Sequence, residues 1–362
     1  MNDVYVRLIE SWAHHEGNVS TMDEILEWIG RLNRDTVVKV EECSIDGSTF
    51  WFYDEINGEI LNRKRSFFQI KGIQQYVNNE MCAEQPVIIQ REIGYLGIIV
   101  KVVDGVLNFL MQAKIEPGNV NRIQISPTIQ ATKSNFTKAH GGKFPDYLEY
   151  FENASRYEIL VDQIQSEQAS RFYKKRNRNM IICVADDVPV LPNFKWMTLG
   201  QIKRLMAIDN LVNMDTHTVL SGISFVGVDF SAAETERIRP CFSGEALYRS
   251  MFSGSCHESI VEIYHYVNNY KMFNNTKVEL VPLSHLTSWK TDQFGVVCRN
   301  PAFFSVRFYD ITIEGREVMN WIQPLFKAIG SATFALLYCE NGGQVEFLVA
   351  AKPEIGCMDM IE

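Results

Sequence analysis

Across residues 85–130 the chain reads QPVIIQREIGYLGIIVKVVDGVLNFLMQAKIEPGNVNRIQISPTIQ, two long β-rich runs that meet at Asp104-Gly105. That dipeptide suits a tight hairpin turn, in which both central residues need positive φ. Side chains two apart in a strand share a face, so the second run delivers Gln112, Lys114 and Glu116 to one side. The run opens apolar, with Val106, Leu107, Phe109 and Leu110, and ends in an amide, a cation and a carboxylate. Taken alone, this is the pattern of a strand leaving the core for solvent. It is an odd ending for a strand that begins so apolar.

Helical spacing appears earlier. Ser20-Thr21 before Met22-Asp23-Glu24 is an N-cap with acids in the first turn, and Ile25, Leu26, Ile29 and Leu32 make an apolar stripe. Short strands are predicted at 37–42, 49–53 and 67–70, punctuated by turn signals at Asn57-Gly58 and Lys71-Gly72. A β meander then leads into the hairpin. An aromatic helix is predicted at 147–151 and a strand at 157–165. A second helix at 258–269 and a strand at 277–283 repeat the opening order. The fold class is α+β, dominated by antiparallel pairing.

The hairpin pattern returns. Residues 323–356, QPLFKAIGSATFALLYCENGGQVEFLVAAKPEIG, align without a gap to 85–118 at an offset of 238, with nine of 34 positions identical. The matches include Gly105/Gly343, Phe109/Phe347, Lys114/Lys352, Glu116/Glu354 and Gly118/Gly356. The same offset pairs Trp51 with Trp289, Asp54 with Asp292, and Lys39-Val40-Glu41 with Lys277-Val278-Glu279. The pattern implies duplication, with a first unit at 1–254 and a second at 255–362. By this offset Glu362 aligns with Gln124, so the second unit is expected to be truncated inside a strand.

Composition narrows the function classes. A chain of 362 residues, 46% hydrophobic, suffices for about two packed domains. With 35 basic and 44 acidic residues the net charge is −9, which argues against a nucleic-acid or anionic-membrane binder. No apolar run reaches the roughly 18 residues of a membrane span, and the N-terminus has no signal-peptide pattern. The eight cysteines are scattered without a C-x-x-C and read as reduced thiols of a cytoplasmic protein. Among the seven histidines only His14-His15 are neighbours, and adjacent residues point to different faces, so no metal site is expected.

Polar residues concentrate between the repeats. Ser126-Pro127-Thr128-Ile129-Gln130 is followed by Lys138-Ala139-His140-Gly141-Gly142, then by Gln165-Ser166-Glu167-Gln168-Ala169-Ser170-Arg171-Phe172-Tyr173. Lys174-Lys175-Arg176-Asn177-Arg178 is the only dense basic run in an acidic chain. Such a run is commonly a solvated face. Beside so many hydroxyls and amides it could instead hold a diphosphate, which needs several fixed cationic donors.

The segments QAKIEPGNVNRIQISPTIQATKSNFTKAHGG, YLEYF, QSEQASRFYKKRNRNMI and TLGQIKRLMAIDNLVNMDTHTVLS resemble the NDP-hexose 2,3-dehydratase family, and GREVMNWIQPL resembles its second repeat. The resemblance implies tandem Nudix-like units, a homodimer, and a lyase of deoxysugar biosynthesis that needs no cofactor and no metal. The implied substrate is an NDP-4-keto-6-deoxyhexose, usually the dTDP sugar, and a downstream ketoreductase would consume the product.

The 4-keto group makes C3–H acidic, so a base can form an enolate, and an acid can then protonate the departing 2-hydroxyl. Within the matched motifs, Glu116 or Glu167 would be the base, and His140 the acid or an enolate donor. Gln112, Thr128 and Gln130 would orient the sugar, and Gln168 and Tyr173 would belong to the substrate-binding set. Lys114, Arg171, Lys175 and Arg178 would serve the phosphates. Two other readings compete. A non-catalytic nucleotide-sugar-binding protein could be left by truncation of a dehydratase. A Nudix-type hydrolase would need closely spaced acids after Arg91-Glu92, where the chain has Ile93-Gly94-Tyr95-Leu96.

Overall fold

The structure is a computed structural model that describes residues 3–133, 144–252, 259–300, 303–315 and 318–361. It is an α+β fold. The amino-terminal region supplies helices α1 (Asp3–Ala13) and α2 (Met22–Asp35) and strands β1 (Val38–Glu42), β2 (Trp51–Asp54), β3 (Glu59–Asn62), β4 (Gln69–Val77) and β5 (Glu80–Ile89). The hairpin is β6 (Gly94–Val103) and β7 (Val106–Ile115), followed by β8 (Ile123–Ser126), β9 (Ile129–Ala131) and helix α3 (Leu148–Glu152). Strands β10 (Glu158–Ser166), β11 (Arg176–Cys183) and β12 (Phe194–Met197) precede helices α4 (Leu199–Met206) and α5 (Met214–Ser221). The last third carries β13 (Thr276–Val281), β14 (Trp289–Asp292), β15 (Gly295–Cys298), β16 (Phe304–Ile313), β17 (Asn320–Ala328), β18 (Leu337–Asn341) and β19 (Gln344–Leu348).

The hairpin forms where the sequence places it. Asp104 has φ 48° and Gly105 φ 84°, the two positive values a tight two-residue turn demands. The hairpin is the middle of a seven-stranded sheet in which β11 lies parallel to β6, and β12 and β8 lie antiparallel to β7. Alternate side chains enter two different cores. Ile98, Val100, Leu107, Phe109 and Met111 meet α2 and α4, whereas Ile99 and Leu110 meet Phe151 of α3.

Thr21 and Glu24 cap α2 reciprocally: the Glu24 N–H donates to Thr21 Oγ1 at 3.2 Å, and the Thr21 N–H donates to Glu24 Oε2 at 2.8 Å. Its buried face is Met22, Ile25, Trp28 and Ile29. Leu26, expected in the stripe, faces solvent, and the indole of Trp28 takes the core position instead. Each such burial contributes about 1.5–3 kcal/mol. Lys71-Gly72, expected as a turn, lies within β4. A side chain at Gly72 would press against Leu286, so close packing accounts for this glycine.

Two further five-stranded sheets share one core containing Trp51 and Trp289, the tryptophans that the offset pairs. Their strands cross over reciprocally. β1 joins β16 with Val38 opposite Ile313, and β13 joins β4 with Thr276 opposite Val77. β18 and β19 pair only with each other among the described residues. Phe334, Leu337, Tyr338, Phe347 and Leu348 are exposed there, whereas the residues 238 positions earlier, Leu96, Ile99, Val100, Phe109 and Leu110, are buried. The seven described cysteines are free, and no helix among the described residues is long and apolar enough to cross a membrane.

The close approach of β6 to α3 is testable. A Cβ added at Gly97 would lie 2.1 Å from Phe151 Cε1. Gly97→Ala is expected to lower stability by about 1–3 kcal/mol through overpacking, read as an earlier urea midpoint. An unchanged midpoint would mean that the two elements are not in contact.

Candidate active site

A cavity of about 210 Å³ opens at the end of the seven-stranded sheet where β6 and β11 begin and β7 finishes. Lys114 and Glu116, delivered to one face by the period of β7, line it and form an ion pair at 2.9 Å. Lys114 Nζ also donates to the Gln130 carbonyl at 3.2 Å, which joins the end of β7 to β9. Glu167 reaches the cavity from the end of β10 and Lys175 from just before β11. The Asn177 amide donates to Glu167 Oε2 at 2.7 Å, and the Gln168 N–H donates to Oε1 at 3.1 Å. Lys175 is buried and donates to the Glu92 carbonyl. Burial pulls its ammonium below the usual lysine range, against the opposing pull of Glu92 and Glu167.

The loop carrying Glu167 and Lys175 is anchored from several sides. The Glu167 N–H donates to the Lys175 carbonyl at 2.9 Å and closes the loop on itself. The Ile88 N–H donates to the Arg171 carbonyl and the Tyr173 N–H to the Ile88 carbonyl, both at 2.8 Å. From the carboxy-terminal region, the Gly356 N–H donates to Ala169 at 2.9 Å, and the Lys174 N–H donates to Gly356 at 2.8 Å. The Arg171 guanidinium lies 4.0 Å over the Phe304 ring of β16.

A third carboxylate, Asp215, also faces the cavity. It lies in the first turn of α5, whose start is fixed by Asn213. Asn213 Oδ1 accepts from the Thr216 N–H at 2.9 Å, and its Nδ2 donates to Ser126 Oγ at 2.8 Å and Gln130 Oε1 at 3.2 Å. Burial first, then the neighbouring Glu167, pushes the Asp215 carboxyl up to about 7, with Lys114 pulling the other way and Glu116 adding to the rise. Sequence reasoning missed this residue. An acid two positions after an N-cap has an ordinary explanation in the helix dipole, and nothing local signals its desolvation.

The structure thus brings together Lys114, Glu116, Gln130, Glu167 and Lys175 from the expected set. Others lie elsewhere. Thr128 is buried, with Oγ1 donating to the Leu110 carbonyl and accepting from the Ile99 N–H at 2.9 Å, so it ties β9 to the hairpin. Gln112 sits in the β7 ladder opposite Ser126 and Phe194, outside the cavity wall. Gln168 Nε2 contacts Met214 Sδ at 3.1 Å, and Tyr173 packs on the cluster of Ile73 and Val87. Arg178 pairs with Asp162 at 2.6 Å and lies 5.7 Å from the ring centre of Tyr95, which lines the cavity, whereas Arg178 does not. His140 lies outside the described residues.

A second cavity of about 270 Å³ adjoins the first, and Phe67 lines both. Arg65 and Arg91 supply cations there, and Phe67 and Phe68 supply aromatic surface. Arg65 (φ 50°) and Phe67 (φ 74°) hold left-handed backbone. Conformations of that kind cost of order 1–3 kcal/mol each and cluster at functional sites. Among the described residues no group of three or more His, Cys, Asp or Glu is placed to hold a metal ion.

The raised Asp215 carboxyl has a stability signature. An exposed aspartate titrates near about 4, so between there and about 7 the folded state holds a proton that the unfolded state has lost. Its contribution therefore declines as pH rises through that window. Asp215→Asn stays neutral throughout, so its Tm relative to wild type is expected to climb from about pH 5 to about pH 8. A pH-independent difference would contradict the desolvated carboxyl.

The sequence matches the model of the NDP-hexose 2,3-dehydratase family over residues 22–223 and 260–362, two stretches whose starts are themselves 238 residues apart. It is 39% identical over 335 residues to a dTDP-4-dehydro-6-deoxy-α-D-glucopyranose 2,3-dehydratase of Saccharopolyspora spinosa, an alignment covering 91% of this chain and 68% of that protein. Proteins of the same description from Amycolatopsis orientalis and Streptomyces violaceoruber are each 33% identical, covering 100% and 92% of this chain and 73% and 72% of their own lengths. With both of its matched stretches and all three relatives agreeing, the chain belongs to the NDP-hexose 2,3-dehydratase family.

Proposed function

We propose that this protein removes water across C2 and C3 of an NDP-4-keto-6-deoxyhexose, with the dTDP sugar as substrate, in deoxysugar biosynthesis. The observation that carries the reading is the convergence of Lys114, Glu116, Glu167 and Lys175 on one cavity in a chain of this family. The sugar occupies that cavity. The diphosphate falls toward Arg65 and Arg91 in the adjoining one, where guanidinium groups suit phosphate oxygens.

Glu167 is the base in this reading. Amide donors hold its two oxygens, whereas Glu116 is tied to the ammonium of Lys114. Removal of the C3 proton places negative charge on the C4 oxygen, and the ammonium groups of Lys114 and Lys175 are the cations at hand to meet it. The C2–O bond then breaks, and the resulting enol ketonises to a 3,4-diketo-2,6-dideoxy sugar. A ketoreductase is the class of enzyme that would consume so reactive a product.

The same reading treats the chain as two Nudix-like units, 1–254 and 255–362, and as a homodimer. Reciprocal exchange of β1 and β13 supports a duplicated unit. The exposed apolar side chains of Ile260, Ile263, Tyr264, Phe334 and Phe347 offer the kind of surface that self-association uses.

Incubation with dTDP-4-keto-6-deoxyglucose, followed by mass spectrometry of the trapped product, is expected to show loss of one water. Glu167→Gln is expected to slow that loss by about 10²–10⁴-fold. Intact substrate, with binding still measurable, would favour the non-catalytic nucleotide-sugar-binding protein instead.

A further inference from the structure

An elimination needs two groups in opposite protonation states facing one sugar ring: an ionised base and a protonated acid. Among the described residues, the cavity presents three carboxylates, Glu116, Glu167 and Asp215, and two ammonium groups, Lys114 and Lys175. Glu116 is compensated by Lys114 at 2.9 Å. Glu167 has donors on both oxygens and the ammonium of Lys175 for electrostatic company. Asp215 is the carboxyl left in excess, in surroundings where a further negative charge is costly.

Its placement is also built. α5 begins where Asn213 grips Ser126, Gln130 and Thr216. The backbone beside it is stitched to β8, with the Ile125 N–H on the Leu211 carbonyl at 2.8 Å and the Asn213 N–H on the Ile125 carbonyl at 3.0 Å. Asp215 follows two residues later and is held at the cavity wall by these anchors.

We propose that Asp215 is the proton donor to the departing 2-hydroxyl, working opposite Glu167 as base. The inference rests on the dehydratase reading above and assigns to Asp215 the acid role for which the sequence nominated His140. The step balances. Glu167 takes the C3 proton, the C2–O bond breaks, and the Asp215 proton leaves with the hydroxyl as water. On ketonisation the enol O–H proton returns to Asp215, and C2 receives a proton from Glu167. Both carboxyls are restored, and no oxidant or reductant is used.

The raised titration of Asp215 agrees with this role. Among the described residues, the charged groups that act on it are Glu167 beyond β10 and Lys114 and Glu116 from β7, and Lys175 lines the same cavity. Activity that needs the protonated carboxyl is expected to fall as pH rises through about 7, and the corresponding limb should vanish from the residual activity of Asp215→Asn.

The deciding experiment follows two processes at once in deuterated water: exchange of the substrate C3 hydrogen, which needs only the base, and loss of water, which needs both groups. Asp215→Asn should retain C3 exchange within about tenfold of wild type while water loss falls by about 100-fold or more. Retained exchange also shows that the variant is folded and binds substrate. Asp215→Glu, which restores a carboxyl, should recover part of the lost elimination. Water loss within about tenfold of wild type in Asp215→Asn would overturn the proposal. Loss of exchange together with elimination would overturn it too, since Asp215 would then serve the base or the architecture. A wild-type protein that neither exchanges nor eliminates would instead remove the dehydratase reading itself.

Discussion

The structure depends on burial of both faces of one hairpin. β6 and β7 lie at the centre of the seven-stranded sheet, with α2 and α4 against one face and α3 against the other. A strand buried on both faces cannot slip by one residue without exchanging the two cores, so its register is strongly determined. That register carries Lys114 and Glu116 to the sheet end where β11 begins. The chemistry inherits its geometry from apolar packing further along the same strands.

From that fixed end, the remaining polar groups are brought in by elements anchored independently. Glu167 and Lys175 sit on a loop braced by Ile88 and by Gly356 from the carboxy-terminal region, and Arg171 of that loop stacks on Phe304. Asp215 arrives on a capped helix stitched to β8. Rigid neighbours on each side keep like charges close together, an arrangement that a flexible surface would relax. The cost is local: a desolvated carboxyl, a buried lysine, and left-handed backbone at Arg65 and Phe67. Strain and electrostatic frustration of this kind are often found where function competes with stability.

Much of this was legible in the chain. The Asp104-Gly105 turn, the capped helix beginning at Met22 and the period-two approach of Lys114 and Glu116 all follow from local rules, and the structure follows them. The offset of 238 also anticipated Trp51 and Trp289 as related positions, though not that they share a single core. What local rules could not reach were tertiary facts. Gly72 reads as a turn until Leu286 is known to lie against it. Thr128 reads as a sugar contact until its hydroxyl is seen holding the Leu110 carbonyl. The basic run reads as one phosphate site, yet Lys175 turns into the cavity while Arg178 pairs with Asp162. Asp215 has no local signal at all, because its significance comes from groups on β7 and beyond β10.

In the proposed chemistry the carboxylate-lined cavity removes the C3 proton of a 4-keto sugar and expels its 2-hydroxyl. The decisive measurement is turnover of dTDP-4-keto-6-deoxyglucose carrying deuterium at C3. A primary isotope effect on C3 deprotonation and a product with no hydrogen left at C3 are expected. Deuterium still bonded to C3 after loss of water, or a nucleotide cleaved at its diphosphate with the sugar unchanged, would rule this chemistry out.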